Sequence, residues 1–306
     1  MSFLEVKNLV KEIEGNLIID KISFKIEVND FMAIVGKSGA GKSTILSLLS
    51  GMDYLSSGEI LFEGQVLKDP RDQLVRGNKQ IRLVKQDYDL YPYHRVYDIL
   101  ELPIRMLGDE EIEDRIDEML SFFDLEEYRY SLPKELSGGM KQRLSIAYAM
   151  ITYPKVLLLD EPFSHLDAYT SIECLSYIKK IAKKYNTTVV YVTHETEYAL
   201  MFANKIMVVS DGEILQEGSA ESVYKKPINL EVARLFGSAV IVDGQVIRPQ
   251  NVEIGTKGGE GEVLNCFYLG DKYLVHFKNK GDDLIMAYSS KGLVVGEKIH
   301  FKIAFD

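Results

Sequence analysis

The stretch that most constrains this chain is "FMAIVGKSGAGKSTILSLLSGM", residues 31–52. Phe31 to Val35 is a short unbroken apolar run, the mark of a strand buried on both faces. Gly36 then opens the spacing G-x-x-x-x-G-K-[ST], completed by Gly41, Lys42 and Ser43. Ile45, Leu46, Leu48 and Leu49 follow at helical spacing, and Gly51 offers a stop. Strand, glycine loop and helix in this order form a phosphate cradle. The glycines let the backbone curl, and its N–H groups face the anion. In such a loop Lys42 reaches the β- and γ-phosphates and the Ser43 hydroxyl holds Mg²⁺.

Two further apolar runs deliver polar residues at their ends. "YPKVLLLDEPFSHLD" carries Val156–Leu159, a run suited to a parallel sheet covered on both faces, and then Asp160 and Glu161. Beside a phosphate loop, Asp160 is placed for the Mg²⁺ shell and Glu161 to polarise an attacking water. A strand read over 187–192 delivers His194 to the same place, as a candidate sensor of the γ-phosphate. "LSGGMKQRL", 136–144, is a second glycine turn opening a helix, and so a second anion site.

Composition narrows the class. Forty-six acids face 36 bases, for a net charge of −10, and this balance argues against nonspecific nucleic-acid binding. Seven acids lie in Asp109–Glu118. Ile112, Ile116, Met119, Leu120 and Phe123 recur there at helical spacing, so the stretch reads as an amphipathic helix with an acidic outer face; a docking patch for a basic partner is the other reading. No run approaches the roughly 18 apolar residues of a membrane span, and "MSFLEVKNLV" is not a signal peptide. Cys174 and Cys266 suggest neither a disulfide framework nor a metal site. The expectation is a cytosolic chain.

Together these motifs resemble an ATP-binding-cassette ATPase. "GKSGAGKST" (Gly36 to Thr44, with Ser38, Gly39 and Ala40 inside it) matches that family's Walker A loop, and "VLLLDEP" its Walker B strand. "LSGGM" matches the family signature and "SHLD", 164–167, the loop after Walker B. Gln86 takes the place of the family's glutamine, a metal and catalytic position, and His194 that of its switch histidine. The resemblance implies ATP and Mg²⁺ as ligands, with Ser43, Gln86 and Asp160 on the metal. It implies head-to-tail pairing with a second cassette, so that Ser137, Gly138 and Gly139 bind the nucleotide held by a partner copy. Glu161, His194, Gln86 and Lys42 would carry catalysis.

Three departures stand out. Ile13 occupies the place where the family sets an aromatic against the adenine. Met140 replaces the last glutamine of the signature. "PRDQLVRGNKQIRLV", 70–84, is longer and more charged than the usual approach to Gln86, and nothing in the sequence assigns it a role.

"QDYDLYPYH" after Lys85 resembles importer cassettes for sugars, polyamines and ferric iron. In these the segment opens a helical subdomain, here about 87–152, and forms the groove for a membrane subunit. Tyr88, Leu90, Tyr91 and Pro92 would lie in that groove. "KIMVVSDGEILQEG" reads as a hairpin with Asp211-Gly212 at its turn. After Gly237 the sequence becomes short β runs broken by glycine, and "VIRPQNVEI", 246–254, resembles the start of the OB-like (TOBE) regulatory domain of importer ATPases.

The expected fold is an α/β P-loop NTPase cassette, 1–236, with a helical subdomain, followed by a small all-β OB-like barrel, 237–306. The expected function is ATP hydrolysis by an importer subunit. It would be peripheral on the inner face of the cell membrane, working with a second cassette, transmembrane permease subunits and a solute-binding protein, and not with nucleic acid. Export, or a soluble cassette with a regulatory role, are the alternatives.

Overall fold

The computed structural model describes residues 3–86, 90–164 and 166–304. Tyr88 and His165 lie outside the described residues. The chain divides by contacts into two compact units, Met1–Ala220 and Glu221–Asp306. This division falls before the 236/237 boundary drawn from the sequence.

The first unit opens with an antiparallel hairpin, β1 (Leu4–Ile13) and β2 (Asn16–Ile26). β3 (Phe31–Val35) is buried at every position, as its unbroken apolar run dictates, and α1 (Lys42–Leu49) follows. β4 (Ser57–Phe62) and β5 (Gln65–Val66) complete a four-stranded antiparallel sheet in the order β2-β1-β4-β5. After β6 (Ile81–Val84) come three helices: α2 (Val96–Glu101), α3 (Asp109–Phe122) and α4 (Gly138–Met150). The chain then alternates through β7 (Val156–Asp160), α5 (Ala168–Tyr185), β8 (Thr188–Thr193), α6 (Thr196–Phe202), β9 (Lys205–Ser210) and β10 (Glu213–Gly218).

These strands build a six-stranded sheet in the order β10-β9-β3-β8-β7-β6, parallel except at the β10 edge. Parallel neighbours put their C-terminal ends on one side, so the segments after β3, β6, β7 and β8 share one rim, where ligands bind in open α/β sheets. One core holds the two sheets and α1 together. Leu46 and Leu49 of α1 pack with Met32, Ile34, Leu158 and Val190 from the parallel sheet, and with Leu4, Ile22 and Ile60 from the antiparallel one.

The helices between β6 and β7 follow their sequence pattern. Ile112, Ile116, Met119 and Leu120 of α3 are buried, as is Phe123 after it. Several of the acids are held by cations of the same unit: Glu111 by Arg115, Glu113 and Asp117 by Arg129, and Glu118 by Lys184. The β9–β10 turn is Asp211-Gly212, with both residues at positive φ (49° and 78°), the geometry of a two-residue type I′ hairpin.

The second unit carries α7 (Ala220–Lys225), whose first residue closes the first unit, and α8 (Leu230–Leu235). A ribbon of β11 (Val240–Val242) and β12 (Gln245–Ile247) follows. β13 (Val252–Tyr268), β14 (Tyr273–Asn279), β15 (Leu284–Ser289) and β16 (Lys298–Ile303) form an antiparallel sheet in the order β15-β14-β13-β16. Ile254 and Gly259 both face Phe301, so β13 carries extra residues between them and its register shifts. Val240, Val242 and Ile247 of the ribbon share one core with Val263, Phe277, Ile285 and Phe301 of the sheet. Arg248 joins α7 to this unit: its guanidinium lies 4.2 Å from the Tyr224 ring centre and donates to the Tyr224 carbonyl at 3.3 Å. The all-β piece read from the sequence is therefore present, as a sheet and a ribbon on one core.

Candidate nucleotide site

The glycine loop between β3 and α1 is shaped by what cannot fit there. A Cβ on Gly36 would lie 2.1 Å from the Val209 carbonyl oxygen, so no side chain is possible where the loop leaves β3. Gly41 has φ of 92°, and a Cβ there would meet Ile19 Cδ1 at 2.6 Å and the Ile18 carbonyl oxygen at 3.1 Å. The loop is thus packed against β9 on one side and β2 on the other, and Ser38, Gly39, Ala40 and Thr44 ride on that frame. Lys42 is buried and donates to the carbonyl oxygens of Gly36 (2.9 Å) and Lys37 (2.8 Å). Burial lowers its pKa, opposed by the charges of Glu161 and Asp160.

The residues after β6, β7 and β8 meet this loop. Ser43 Oγ donates to Asp160 Oδ1 at 2.8 Å. Burial raises the Asp160 pKa; the Ser43 bond and the Lys42 charge pull the other way, and the Glu161 charge adds to the rise. Glu161 takes a left-handed backbone conformation, φ 43°, an uncommon choice for a bulky residue that costs about 1–3 kcal/mol. Its N–H donates to the Val192 carbonyl at 3.2 Å, which ties the turn to the neighbouring strand. His194 Nδ1 lies 3.2 Å from Glu161 Oε2. Gln86 Nε2 donates to Ser164 Oγ at 3.1 Å, and Ser164 Oγ donates to the Glu161 carbonyl at 3.2 Å. Gln86, Ser164, Glu161 and His194 therefore form one continuous polar chain, with Ser43, Asp160 and Lys42 beside it.

Ser164 was not among the residues singled out from the sequence, although it opens the quoted "SHLD". Its part is visible only once β6 and β7 are neighbours. The left-handed turn at Glu161 likewise has no sequence signal.

The second glycine turn stands on a different element. Ser137 is the N-cap of α4, and its Oγ accepts from the Met140 N–H at 3.3 Å, so Met140 takes its place in the first turn through its backbone. A Cβ on Gly139 would approach Thr170 Cγ2 at 2.9 Å, while Gly138 is open. Ile13 ends β1 at the hairpin tip, 44% exposed, available to cover a ligand. Tyr91 is exposed and stacks edge-on with His94 at 5.4 Å; Leu90 is half-buried.

Comparison with known proteins converges on one family. The ABC transporter family model matches residues 19–164. The spermidine/putrescine import ATP-binding protein PotA of Clostridium novyi is 38% identical over 248 residues, 80% of this chain and 70% of that protein. The chain belongs to the ATP-binding-cassette transporter family. PotA of Borreliella afzelii is 37% identical across 99% of this chain and 88% of its own length, so the likeness to that importer protein extends through the second unit. Among solved structures, the ATP-binding cassette MJ0796, a dimer in a post-hydrolysis state with ADP and Pi, matches with a TM-score of 0.62 at 29% identity. The match covers 71% of this chain and 98% of that one. The present chain is an ATP-binding, ATP-hydrolysing importer subunit of that family. No helix among the described residues is long and apolar enough to cross a membrane.

Proposed function

We propose that the chain energises a polyamine-class importer as a homodimer, each ATP being held between one copy's Gly36–Thr44 loop and the other copy's Ser137–Gly139 turn. The continuous chain Gln86–Ser164–Glu161–His194 beside the Ser43–Asp160 pair carries this reading. Two curated relatives named as spermidine/putrescine import proteins support the substrate class, and a dimeric cassette with ADP and Pi supports the pairing. The partners are then a transmembrane permease, with the cassette peripheral on the inner face of the membrane, and a solute-binding protein outside. The C-terminal unit is assigned a regulatory role.

The donor set suits Mg²⁺. A hydroxyl, a carboxylate and the Gln86 amide oxygen are hard oxygen ligands on one rim, few enough to leave room for phosphate oxygens and water. When bound there, Mg²⁺ neutralises charge on the β- and γ-phosphate oxygens. The protein's own residues do the rest. Lys42 leaves the Gly36 and Lys37 carbonyls for the phosphates, and its burial strengthens that contact. The N–H groups of residues 38–44 bind the phosphate chain. Glu161 accepts a proton from the attacking water, whose oxygen bonds to the γ-phosphorus as the bridge to the β-phosphate breaks. His194, already beside Glu161, donates to the γ-phosphate oxygens, while Gln86 and Ser164 hold the Glu161 turn from the other side.

Glu161→Gln tests this. The variant binds ATP as tightly as the wild type, and its hydrolysis falls by roughly 10²-fold or more. Wild-type turnover in the variant would remove Glu161 from the role of base and overturn the reading.

A further inference from the structure

Gln86 lies two residues beyond β6, on the rim that also carries Asp160 at the end of β7. Its side chain is long and exposed. An unrestrained amide at such a place turns between two orientations, one presenting oxygen and the other NH₂. Only the oxygen end can ligate a cation. A glutamine serves a metal there when a neighbour selects that end.

Ser164 makes the selection. A serine hydroxyl has one hydrogen to donate and two lone pairs to accept with. Ser164 Oγ lies 3.2 Å from the Glu161 carbonyl oxygen, which can only accept, so the hydrogen is committed there. Gln86 Nε2 lies 3.1 Å from the same Oγ. Oγ can then only accept from Gln86, and the amide must turn its NH₂ end to Ser164. Oε1 is the end left over. Among the described residues, Ser164 is the one partner of the Gln86 amide.

The hydroxyl is a fixed point because its backbone is pinned on both sides. Residues 161–164 form a turn closed by the Ser164 N–H on the Glu161 carbonyl at 3.4 Å. Inside it Phe163 is buried and meets the Tyr198 ring edge-on, with centres 6.2 Å apart. Beyond it the Leu166 N–H donates to the Phe163 carbonyl at 3.0 Å. Asp167 then caps α5, accepting from the Thr170 N–H at 3.0 Å and from Thr170 Oγ1 at 2.7 Å. A buried ring and a helix cap thus hold Ser164 Oγ in place against a flexible side chain.

We infer that Ser164 is a positioning residue for the metal: acting through Gln86, it directs the amide oxygen rather than the NH₂ to the Mg²⁺ position. This rests on the proposed placing of Mg²⁺ at Ser43, Asp160 and Gln86. The same hydroxyl holds the carbonyl of Glu161, so the proposed base and a metal ligand share one support.

The test is the Mn²⁺ affinity of the full chain bound to the non-hydrolysable analogue AMP-PNP, followed by electron paramagnetic resonance. Ser164→Ala weakens Mn²⁺ binding about fivefold, and Ser164→Thr, which keeps a hydroxyl, restores most of it. In EDTA, where Gln86 has no cation to face, both variants bind AMP-PNP as the wild type does. Gln86→Ala sets the reference. It weakens Mn²⁺ binding, and adding Ser164→Ala to it brings no further loss, because the hydroxyl has no amide left to orient. Wild-type Mn²⁺ affinity in Ser164→Ala, beside a weakened Gln86→Ala, overturns the inference and leaves the proposed metal site standing. Losses that add in the double variant, or that persist undiminished in EDTA, make Ser164 a merely structural residue and also overturn it. Wild-type Mn²⁺ affinity in Gln86→Ala removes Gln86 from the metal, and the inference falls with that reading.

Discussion

Burial at the end of β7 raises the Asp160 pKa, and the adjacent Glu161 charge reinforces the rise against the Ser43 bond and Lys42. Between the ordinary aspartate value of about 3.9 and the raised one, the folded chain binds a proton that the unfolded chain does not. The cost of the ionised carboxylate is therefore complete above the raised value and disappears below the ordinary one. Asp160→Asn should melt higher than wild type near neutral pH, by no more than about 1 kcal/mol after solvent screening. The gap should close as the pH falls into the carboxylate range, in thermal melts of nucleotide-free protein; a gap independent of pH would mean that ionised Asp160 carries no such cost. Ile13 poses a different problem. An aliphatic side chain at a half-exposed hairpin tip covers a base without the roughly 1 kcal/mol that ring stacking adds. Ile13→Tyr is expected to bind ATP about fivefold tighter in calorimetric titration, and equal affinities would take Ile13 away from the adenine.

The loop between β3 and α1 works because glycine at two positions lets neighbouring strands close on it. Gly41→Ala would force a side chain into φ 92° and against the Ile18 carbonyl, which as backbone cannot swing aside. The expected cost is about 2–3 kcal/mol, read as a lower melting temperature together with weakened ATP binding. Retention of both would show that the loop relaxes more freely than its packing against β2 allows. α4 shows another element-scale effect. Its N-cap bond runs from the Met140 backbone to Ser137 Oγ, so the departure from glutamine at 140 leaves the cap bond in place. α3 was legible as an amphipathic helix because its signal is periodicity along one segment. That its outer acids would be held by Arg129 and Lys184 was not, since those cations come from distant stretches of sequence.

At the scale of the whole molecule, the proposed homodimer sets each nucleotide between one copy's Gly36–Thr44 loop and the other copy's Ser137–Gly139 turn. Glu161→Gln with ATP is expected to sediment as a dimer, and adding Ser137→Arg to return it to monomer by putting a cation's bulk where the second copy's phosphate would sit. Dimer in both would sever the α4 turn from the interface. Much of this was readable beforehand. The strand–loop–helix at 31–49, the Asp160–Glu161 pair at a strand end, the Asp211-Gly212 hairpin and the helix opening at the "SGG" turn are local patterns: a few adjacent residues fix the backbone, and the side-chain types suggest the chemistry. The order β10-β9-β3-β8-β7-β6 was not readable, because strand neighbours are chosen by packing across the sheet. With that order came what it places together: the Gln86–Ser164–Glu161–His194 chain and the bond from the Glu161 N–H to Val192. The grouping of α7 and α8 with the C-terminal strands is of the same kind, since Arg248 meets Tyr224 only when the chain has folded back. By itself the sequence marked the residues whose types and spacing suit phosphate chemistry. The tertiary structure decided which of them touch, because contacts between distant segments depend on how faces bury against one another, and local pattern carries no record of that.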